Sequence, residues 1–306
     1  MKDIVLLDGG LGQETFLRSN KPASPLWGAQ VMIDEPEIVK QAQKDFITAG
    51  ARVITTNSYT CTPTRLARDA DESLFEELQI KSFDLANAAR TELGFTAEEV
   101  QIAASIPPLI GSYTSDKRSF QELKDEYKRI VDIQNSRADL FIIETISVIR
   151  EAEAAVEAAL EGDRPILLSL TLSDENPLTL RSGEKVEDAI TALKGYPIQG
   201  FLFNCSYPES ITKSMNYLKQ QNLPYGGYAN GFTTVEPLKP GGTVDKLEAR
   251  KDLDAQNHAK QVLGWVEGGA TIVGGCCEVG PDEIAELKNQ LVEKGYSITN
   301  LKSVSQ

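Results

Sequence analysis

The sequence predicts an α/β protein in which one domain, residues 1–306, forms a single (β/α)8 barrel of the TIM type. Short apolar runs alternate eight times with amphipathic helical stretches, a pattern typical of βα units around a parallel sheet. The composition does not change along the chain, so no domain boundary is indicated. Polar residues follow most of the apolar runs, at the strand ends where such a barrel carries its chemistry.

Eight apolar runs are predicted to be the strands. Each is rich in β-branched residues or bounded by Gly and Pro, as expected of strands buried on both faces. A doubly wound open sheet is the alternative, but its first loop would need a Gly-x-Gly-x-x-Gly spacing that DGGLGQE lacks. The runs are IVLLDGG, RVITTNSY, QIAASIP, LFIIETI, PILLSLTL, GFLFNCS, PYGGYAN and ATIVGGCC.

Helical periodicity fills the intervals between these runs. The tail SITNLKSVSQ lacks such a pattern and is predicted to be a loose terminus. The predicted helices are EPEIVKQAQKDFITAG, DESLFEELQIKSFDLANAARTEL, FQELKDEYKRIVDIQNS, REAEAAVEAALEG, EKVEDAITALKG, PESITKSMNYLKQQ, DAQNHAKQVLGWVEGG and GPDEIAELKNQLVEKG.

Composition and charge exclude several classes of protein. The chain is 41% hydrophobic and 25% charged, as in ordinary globular proteins. Its net charge of −14 argues against nucleic acid or an anionic membrane as partner. The opening MKDIVLLDGG is too short and too quickly acidic for a signal peptide, so we expect none. No apolar run of the sequence approaches the roughly 18 residues of a spanning helix. Four cysteines are too few for a disulfide framework, so we expect a cytoplasmic protein with reduced thiols.

The polar residues at the predicted strand ends include most of the cysteines. Because all eight ends meet at one rim of a barrel, three of the four cysteines converge there from the sixth and eighth strands. The residues at this rim are Asp8, Asn57, Tyr59, Glu144, Cys205, Asn230, Cys276 and Cys277.

Three thiolates from two strand ends form the ligand set of a tetrahedral zinc ion with one open position, as catalytic zinc sites have. The adjacent Cys276 and Cys277 are not expected to pair with each other, because the ring they would close is strained. Cys61 follows the second strand across the barrel and is expected to pack in the core. His258 is predicted to lie on a helix surface.

Three motifs resemble the homocysteine S-methyltransferase family: GGCC after the last strand, NC after the sixth, and the opening LLDGGLGQE. The resemblance continues through PLWGAQVMIDEPEIVKQAQKDFITAGARVITTNSY and covers nearly the whole chain. It implies that zinc held by Cys205, Cys276 and Cys277 binds homocysteine through its sulfur. By the same resemblance, zinc would deprotonate the thiol, and the thiolate would attack a methyl group on a sulfonium or quaternary ammonium donor. The donor leaves neutral, so no general acid is needed.

The resemblance also implies which residues hold the amino-acid end of homocysteine. The backbone N–H groups of Gly9 and Gly10 would meet its carboxylate. Asp8 and Glu144 would face its ammonium group. Each carboxylate has a plainer alternative: Asp8 as a turn residue before the glycines, and Glu144 as a strand-end group satisfied by local donors.

Four further residues are candidates for binding the substrates. Trp27 resembles a family aromatic that lies over the donor, where a cation–π contact would hold a positive methyl carrier. A role in the core or in a lid is the alternative for Trp27. Tyr59 is likewise either a donor-binding aromatic or a core or lid residue. Asn204 and Asn230 would either orient ligands by hydrogen bonds or form turns at the strand ends.

Two departures from the family bear on the methyl donor. The segment SIPPLIGSYTSDKRSFQEL after the third strand is shorter than in many relatives, and the chain carries neither a long C-terminal extension nor cobalamin- or folate-binding domains. These features disfavour betaine and cobalamin donors. We therefore expect a methylsulfonium donor, with S-methylmethionine ahead of S-adenosylmethionine. The sequence leaves open whether the protein is a monomer or a homo-oligomer.

Two other classes of function remain possible on sequence grounds. A barrel lyase or isomerase could bind a phosphorylated substrate at VGGCCEVGPDE, although this segment is acidic and has no Lys or Arg beside it. A non-catalytic protein could retain the zinc site without turnover.

Overall fold

The computed structural model describes residues 2–238 and 240–304, and describes residues 303 and 304 by their backbone alone. Its first eight strands coincide with the eight predicted apolar runs, and a ninth strand lies in the tail. The strands of the described chain are β1 (Asp3–Leu6), β2 (Val53–Thr55), β3 (Gln101–Ile106), β4 (Leu140–Ile146), β5 (Ile166–Leu170), β6 (Gly200–Asn204), β7 (Tyr225–Ala229), β8 (Ile272–Gly275) and β9 (Ser297–Thr299).

All eight predicted helices are present, and four short helices that the periodicity did not predict accompany them. Three of the additional helices, α1, α2 and α4, lie in the loops that follow β1 and β2. The helices are α1 (Leu11–Arg18), α2 (Gly28–Asp34), α3 (Pro36–Ala49), α4 (Pro63–Asp69), α5 (Phe75–Glu92), α6 (Phe120–Gln134), α7 (Ile149–Ala159), α8 (Val186–Leu193), α9 (Pro208–Lys219), α10 (Ala255–Glu267), α11 (Pro281–Glu293) and α12 (Leu301–Val304).

Helix α6 illustrates how the sequence specifies the outer ring. Its N-terminus is a capping box, in which the Ser119 N–H donates to the Glu122 carboxylate at 2.8 Å and the Glu122 N–H donates to the Ser119 hydroxyl at 3.3 Å. Leu123, Tyr127 and Ile130, spaced by one helical turn, are fully buried on the face toward the sheet.

The strands form a closed parallel barrel. They follow one another in the order β2-β3-β4-β5-β6-β7-β8-β1, and every pair between neighbours is parallel. Strands β1 and β2 meet at a parallel bridge between Leu7 and Val53. The Arg52 N–H donates to the Leu6 carbonyl at 2.8 Å, and the Asp8 N–H donates to the Val53 carbonyl at 3.0 Å. These bonds close the ring, and the prediction of a (β/α)8 barrel is confirmed.

The tail closes the bottom of the barrel. The prediction of a loose terminus is therefore wrong for residues 297–304, and residues 305 and 306 lie outside the described part. Strand β9 pairs in parallel with the start of β1, from Asp3 to Val5, where β2 does not reach. The Leu301 side chain is then buried among the residues that fill the barrel interior, and the Leu301 N–H donates to Gln101 Oε1 at 2.8 Å. Those interior residues include Val5, Leu7, Val53, Ala103, Leu140, Ile142, Leu167, Leu202, Tyr228 and Ile272.

Across the described residues, no helix combines the length and apolar character needed to cross a membrane.

Substituting Leu301 by alanine is expected to lower the free energy of unfolding by about 2–4 kcal/mol, because a buried side chain is replaced by a cavity. Leu17 is 61% exposed, and Leu17→Ala serves as the matched control with an expected change under about 0.5 kcal/mol. Urea unfolding of the two variants measures the difference. Equal stability of both variants would mean that the tail does not support the barrel.

Candidate active site

Three cysteine thiols meet at the C-terminal rim of the barrel. Cys205 follows β6 in a left-handed conformation, with φ of 50°, and Cys276 and Cys277 follow β8. The three Sγ atoms lie within 4.8 Å of one another, and the Sγ atoms of Cys205 and Cys276 are 2.8 Å apart. All three thiols are free. Strands β6 and β8 thus deliver their cysteines to one point, as the sequence predicts.

Strand β7 lies between the two cysteine-bearing strands and fixes their distance. The Cys205 N–H donates to the Tyr228 carbonyl at 3.1 Å, and the Cys276 N–H donates to the Ala229 carbonyl at 2.9 Å. The backbone on both sides of the cluster is therefore hydrogen-bonded to the same strand.

Glycines let the first loop pack directly against the cysteine loop. A Cβ on Gly10 would lie 2.6 Å from the Cys276 carbonyl oxygen, and one on Gly9 only 2.0 Å from the Val279 carbonyl oxygen. The Gly10 N–H donates to that Val279 carbonyl at 2.9 Å. The Gly10 amide is thus already engaged, which argues against its predicted contact with a ligand carboxylate.

The three thiols suit a soft metal ion. Ligands of one zinc ion at about 2.3 Å would place sulfur atoms roughly 3.8 Å apart, within the spread found here. Hydrogen bonds from Cys276 and Cys277 hold the pKa of the Cys205 thiol well below its usual range. The same bonds raise the pKa of Cys276 and Cys277. Among the described residues, these three form the one cluster of potential metal ligands, and no fourth protein ligand joins them.

Asp8 and Glu144 are buried carboxyl groups on the wall of the same cleft. The Thr55 N–H and hydroxyl donate to Asp8 Oδ2 at 2.7 and 2.9 Å, and burial raises the pKa of Asp8 to about 7. The Ser105 hydroxyl donates to Glu144 Oε1 at 2.6 Å. Burial, together with the nearby charges of Asp8 and Cys205, raises the pKa of Glu144 to about 8. A cation bound between the two carboxyl groups would favour their ionised forms.

A pair of aromatic side chains forms the outer part of the cleft. Trp27 has a positive φ of 48°, and its ring packs over Gly12, where a Cβ would approach to 3.2 Å. The Tyr59 ring meets Trp27 edge-on, with the ring centroids 6.3 Å apart. The guanidinium of Arg65 lies 5.0 Å from the centre of the Tyr59 ring, so one face of that ring already holds a cation. Trp27 therefore offers the better aromatic surface to a ligand.

Two tyrosines that the sequence analysis missed line the cleft. The Tyr113 hydroxyl is 2.9 Å from Cys205 Sγ, and the Arg181 guanidinium stacks 4.5 Å from its ring centre. Tyr113 belongs to the loop after β3, which has no periodicity to show where its side chains point. The Tyr228 hydroxyl is buried in the barrel near Ser169, and burial raises its pKa well above the usual value. Its position near the end of the predicted strand β7 could have indicated that Tyr228 lies at the rim of the barrel.

Asn204 and Asn230 do not line the cleft. Asn204 Oδ1 accepts hydrogen bonds from the Thr145 N–H and the Ser169 hydroxyl, both at 2.9 Å, and its Nδ2 donates to the Thr145 hydroxyl at 2.8 Å. Asn230 Oδ1 accepts from the Phe232 N–H at 3.0 Å. A local structural role thus fits Asn204, whose side chain is fully engaged. The Nδ2 of Asn230 is buried without a partner among the described residues, so a hydrogen bond from Asn230 to a ligand stays a prediction.

Asn204 nevertheless affects the site through β4. Thr145 has φ of 62°, and the pairing of β4 with β5 shifts register between Ile143 and Ile146. Such a bulge redirects side chains next to it. By holding Thr145 in this conformation, Asn204 fixes the direction of the adjacent Glu144.

The two remaining predictions concern residues away from the cleft. Cys61 is fully buried, and burial raises the pKa of its thiol to about 12, which confirms its predicted role in packing. His258 is also buried, and burial lowers its pKa to about 4. The prediction that His258 lies on a helix surface is wrong, because α10 turns this side chain toward the core.

These elements line one cleft of about 790 Å³, including its open mouth, at the C-terminal rim of the barrel. A barrel with a three-thiol centre at this position is typical of a metal-dependent enzyme.

The chain belongs to the homocysteine S-methyltransferase family, whose sequence model matches residues 5–291. It is 30% identical to homocysteine S-methyltransferase of Escherichia coli K12, over 94% of this chain and 95% of that protein. Two structures of the E. coli homocysteine methyltransferase MmuM are similar, each covering 94% of this chain and 96% of that one. The metallated form has a TM-score of 0.76 at 27% identity, and the oxidized form 0.78 at 28%.

The family resemblance is thus confirmed, and the alternative of a phosphate-binding barrel is not supported. The segment that would cradle a phosphate leads into α11. There the Gly280 N–H already donates to Glu283 Oε2 at 2.9 Å, so a carboxylate of the protein occupies this position.

The raised pKa of Glu144 predicts a pH dependence of stability. Because the pKa is about 8 in the folded state and near 4.5 when unfolded, the folded state holds this proton more tightly. Stability of the protein without metal or substrate should therefore fall as pH rises from about 4.5 to 8. Glu144→Gln removes this contribution, so the variant should exceed the wild type at pH 8.5 by on the order of a few kcal/mol and approach it near pH 4.5.

Urea unfolding across this pH range measures the effect. Glu293→Gln makes the same change at an exposed site and should reproduce the pH profile of the wild type. An unchanged profile in Glu144→Gln would show that the Glu144 carboxylate is not held in an unfavourable buried environment.

Proposed function

We propose that this chain transfers a methyl group from a methylsulfonium donor to the thiol of homocysteine, giving methionine. The observation that carries this proposal is the position of the three thiols beside two buried carboxyl groups in one cleft. A metal at the thiols would bind a sulfur atom, while Asp8 and Glu144 attract a cation. An amino acid with a side-chain thiol presents both groups.

We assign zinc as the metal, with Cys205, Cys276 and Cys277 as its protein ligands. Three thiolates form a soft donor set, and three protein ligands leave a coordination position for a substrate. Zinc bound there would hold the homocysteine sulfur as the thiolate, the nucleophilic form. The contact between the Tyr113 hydroxyl and Cys205 Sγ would orient this ligand and partly balance its charge.

The protein's own residues would bind and orient the substrates. The ionised carboxylates of Asp8 and Glu144 attract the homocysteine ammonium group, and the Gly9 N–H remains our candidate donor to its carboxylate. In the transfer, the homocysteine sulfur forms a bond to the methyl carbon while the bond from that carbon to the donor sulfur breaks. The electron pair stays on the donor sulfur, which leaves as a neutral thioether. No residue has to protonate the leaving group.

We propose S-methylmethionine as the preferred donor, ahead of S-adenosylmethionine. The face of Trp27 can bind a permanent cation, and the negative charge of the thiol cluster adds attraction. Among the described residues, the acidic groups that line the cleft are Asp8 and Glu144, and our assignment of both to the homocysteine ammonium leaves none for a ribose. We also propose a reducing, cytoplasmic setting, because the metal site requires free thiols, and homocysteine and the donor as the only partners required for turnover.

A donor panel tests the proposal. With zinc-loaded protein and homocysteine, kcat/KM should be highest for S-methylmethionine, followed by S-adenosylmethionine, with dimethylsulfoniopropionate and betaine as comparisons. A betaine rate above every sulfonium rate would overturn the donor assignment. Absence of homocysteine-dependent transfer from all four donors would overturn the activity and favour a non-catalytic zinc-binding role.

A further inference from the structure

A second cleft opens from the first on its outer side. It has a volume of about 470 Å³, including its open mouth, and shares Trp27, Tyr59 and Ser112 with the cleft that holds the thiols. Its far wall carries two arginines, Arg65 and Arg68. A ligand that reaches past Trp27 therefore meets two arginine side chains in a protein whose net charge is −14.

Arg65 is a buried cation with few partners. Its side chain is 5% exposed, and its Nη2 donates to the Pro108 carbonyl at 2.9 Å. Its Nε is buried without a hydrogen-bond partner. Among the described residues, no carboxylate lies within 4.0 Å of the Arg65 guanidinium, although its charge counters the burial that raises the pKa of the nearby Glu144 and Glu151. Its guanidinium also lies over the ring of Tyr59. Buried charges are normally paired, so an arginine in this state at a cleft wall is a candidate anion site.

Arg68, on the same helix, is the contrasting case. Its Nε and Nη2 donate to both carboxylate oxygens of Asp69, at 2.8 and 2.6 Å, and its Nη1 donates to the Ile110 carbonyl. These bonds engage the whole fork of its guanidinium. Of the two arginines, Arg65 is the one with donors left for a ligand.

We infer that Arg65 binds the carboxylate of the methyl donor, and that the enzyme selects sulfonium donors whose carboxylate lies several carbons from the sulfur. This inference rests on the proposed function and adds a specificity-determining residue to it. A guanidinium fork matches a carboxylate in shape and charge. A single available arginine suits one carboxylate better than a doubly charged phosphate.

The path from the thiols to Arg65 is continuous. Tyr113 contacts Cys205 Sγ at 2.9 Å, the neighbouring Ser112 hydroxyl lies 2.7 Å from the Tyr59 hydroxyl, and Arg65 lies against the Tyr59 ring. A donor whose methyl group faces the thiols would extend along this wall. In S-methylmethionine three carbons separate the sulfur from the carboxylate, whereas in betaine one carbon separates it from the nitrogen. The longer donor is the better match to a carboxylate site on the far wall.

The experiment compares S-methylmethionine with its carboxamide, which keeps the sulfonium and loses the negative charge. In the wild type, kcat/KM should be roughly 10–100-fold higher for the carboxylate donor, the range for a charge-assisted hydrogen bond. Arg65→Met should abolish this preference by lowering kcat/KM for the carboxylate donor alone, with the KM for homocysteine unchanged. Arg65→Lys should restore part of the preference, and Arg68→Met should retain it.

The outcomes separate the alternatives. Equal kcat/KM for the two donors in the wild type would overturn the inference without any variant, even if Arg65→Met fails to fold. A loss in Arg65→Met that is equal for both donors, together with a raised KM for homocysteine, would overturn it in favour of a structural role. Failure of the proposed function is a different result, since it would abolish transfer from both donors in the wild type. Calorimetric titration of zinc-loaded protein with each donor provides a readout independent of turnover.

Discussion

Strand β7 holds the site together through its backbone and contributes no side chain to the three-thiol cluster. Its carbonyl groups accept hydrogen bonds from Cys205 on one side and Cys276 on the other, so the distance between the thiols is set by the spacing of three neighbouring strands. Because that spacing is built into a closed barrel, the barrel itself holds the three thiols close to one another. The glycines at positions 9 and 10 complete this arrangement by letting the first loop approach the cysteine loop.

The site gathers acidic groups where burial disfavours their charged forms. Three thiols and the carboxyl groups of Asp8 and Glu144 share one cleft, and the carboxyl groups respond with a raised pKa. In the proposed reaction, the metal and two cationic substrates offset this charge. Burial of these groups lowers the stability of the fold, but it also creates a site that attracts an ammonium group and a sulfonium. This trade is common at active sites.

Much of the architecture could be predicted because it depends on local pattern. The alternation of apolar runs with helical periodicity locates all eight barrel strands, and the position of Cys205, Cys276 and Cys277 after two of them brings the thiols together. Contacts set by side-chain direction could not be predicted. Tyr113 reaches Cys205 from a loop without periodicity, and His258 points inward from a helix with polar residues on several sides.

The pairing of the tail also could not be predicted from local sequence, because it depends on the topology of the whole barrel. Strand β9 forms only because β2 leaves the start of β1 unpaired, and this vacancy follows from the closed barrel as a whole. No property of SITNLKSVSQ alone predicts it. Asn204 is a further example, since its neighbours on β4 and β5 determine that it supports Glu144 from behind the cleft.

The central claim is that the three thiols form one metal centre, and the zinc content of purified variants tests it most directly. The wild type should bind one zinc ion per chain, measured by plasma mass spectrometry, and Cys276→Ser should lose tight binding because a hydroxyl is a poorer ligand than a thiolate. Cys61→Ser, which changes the cysteine outside the cleft, should retain the metal if it folds. Stoichiometric zinc in a variant lacking Cys205, Cys276 and Cys277 would contradict the account.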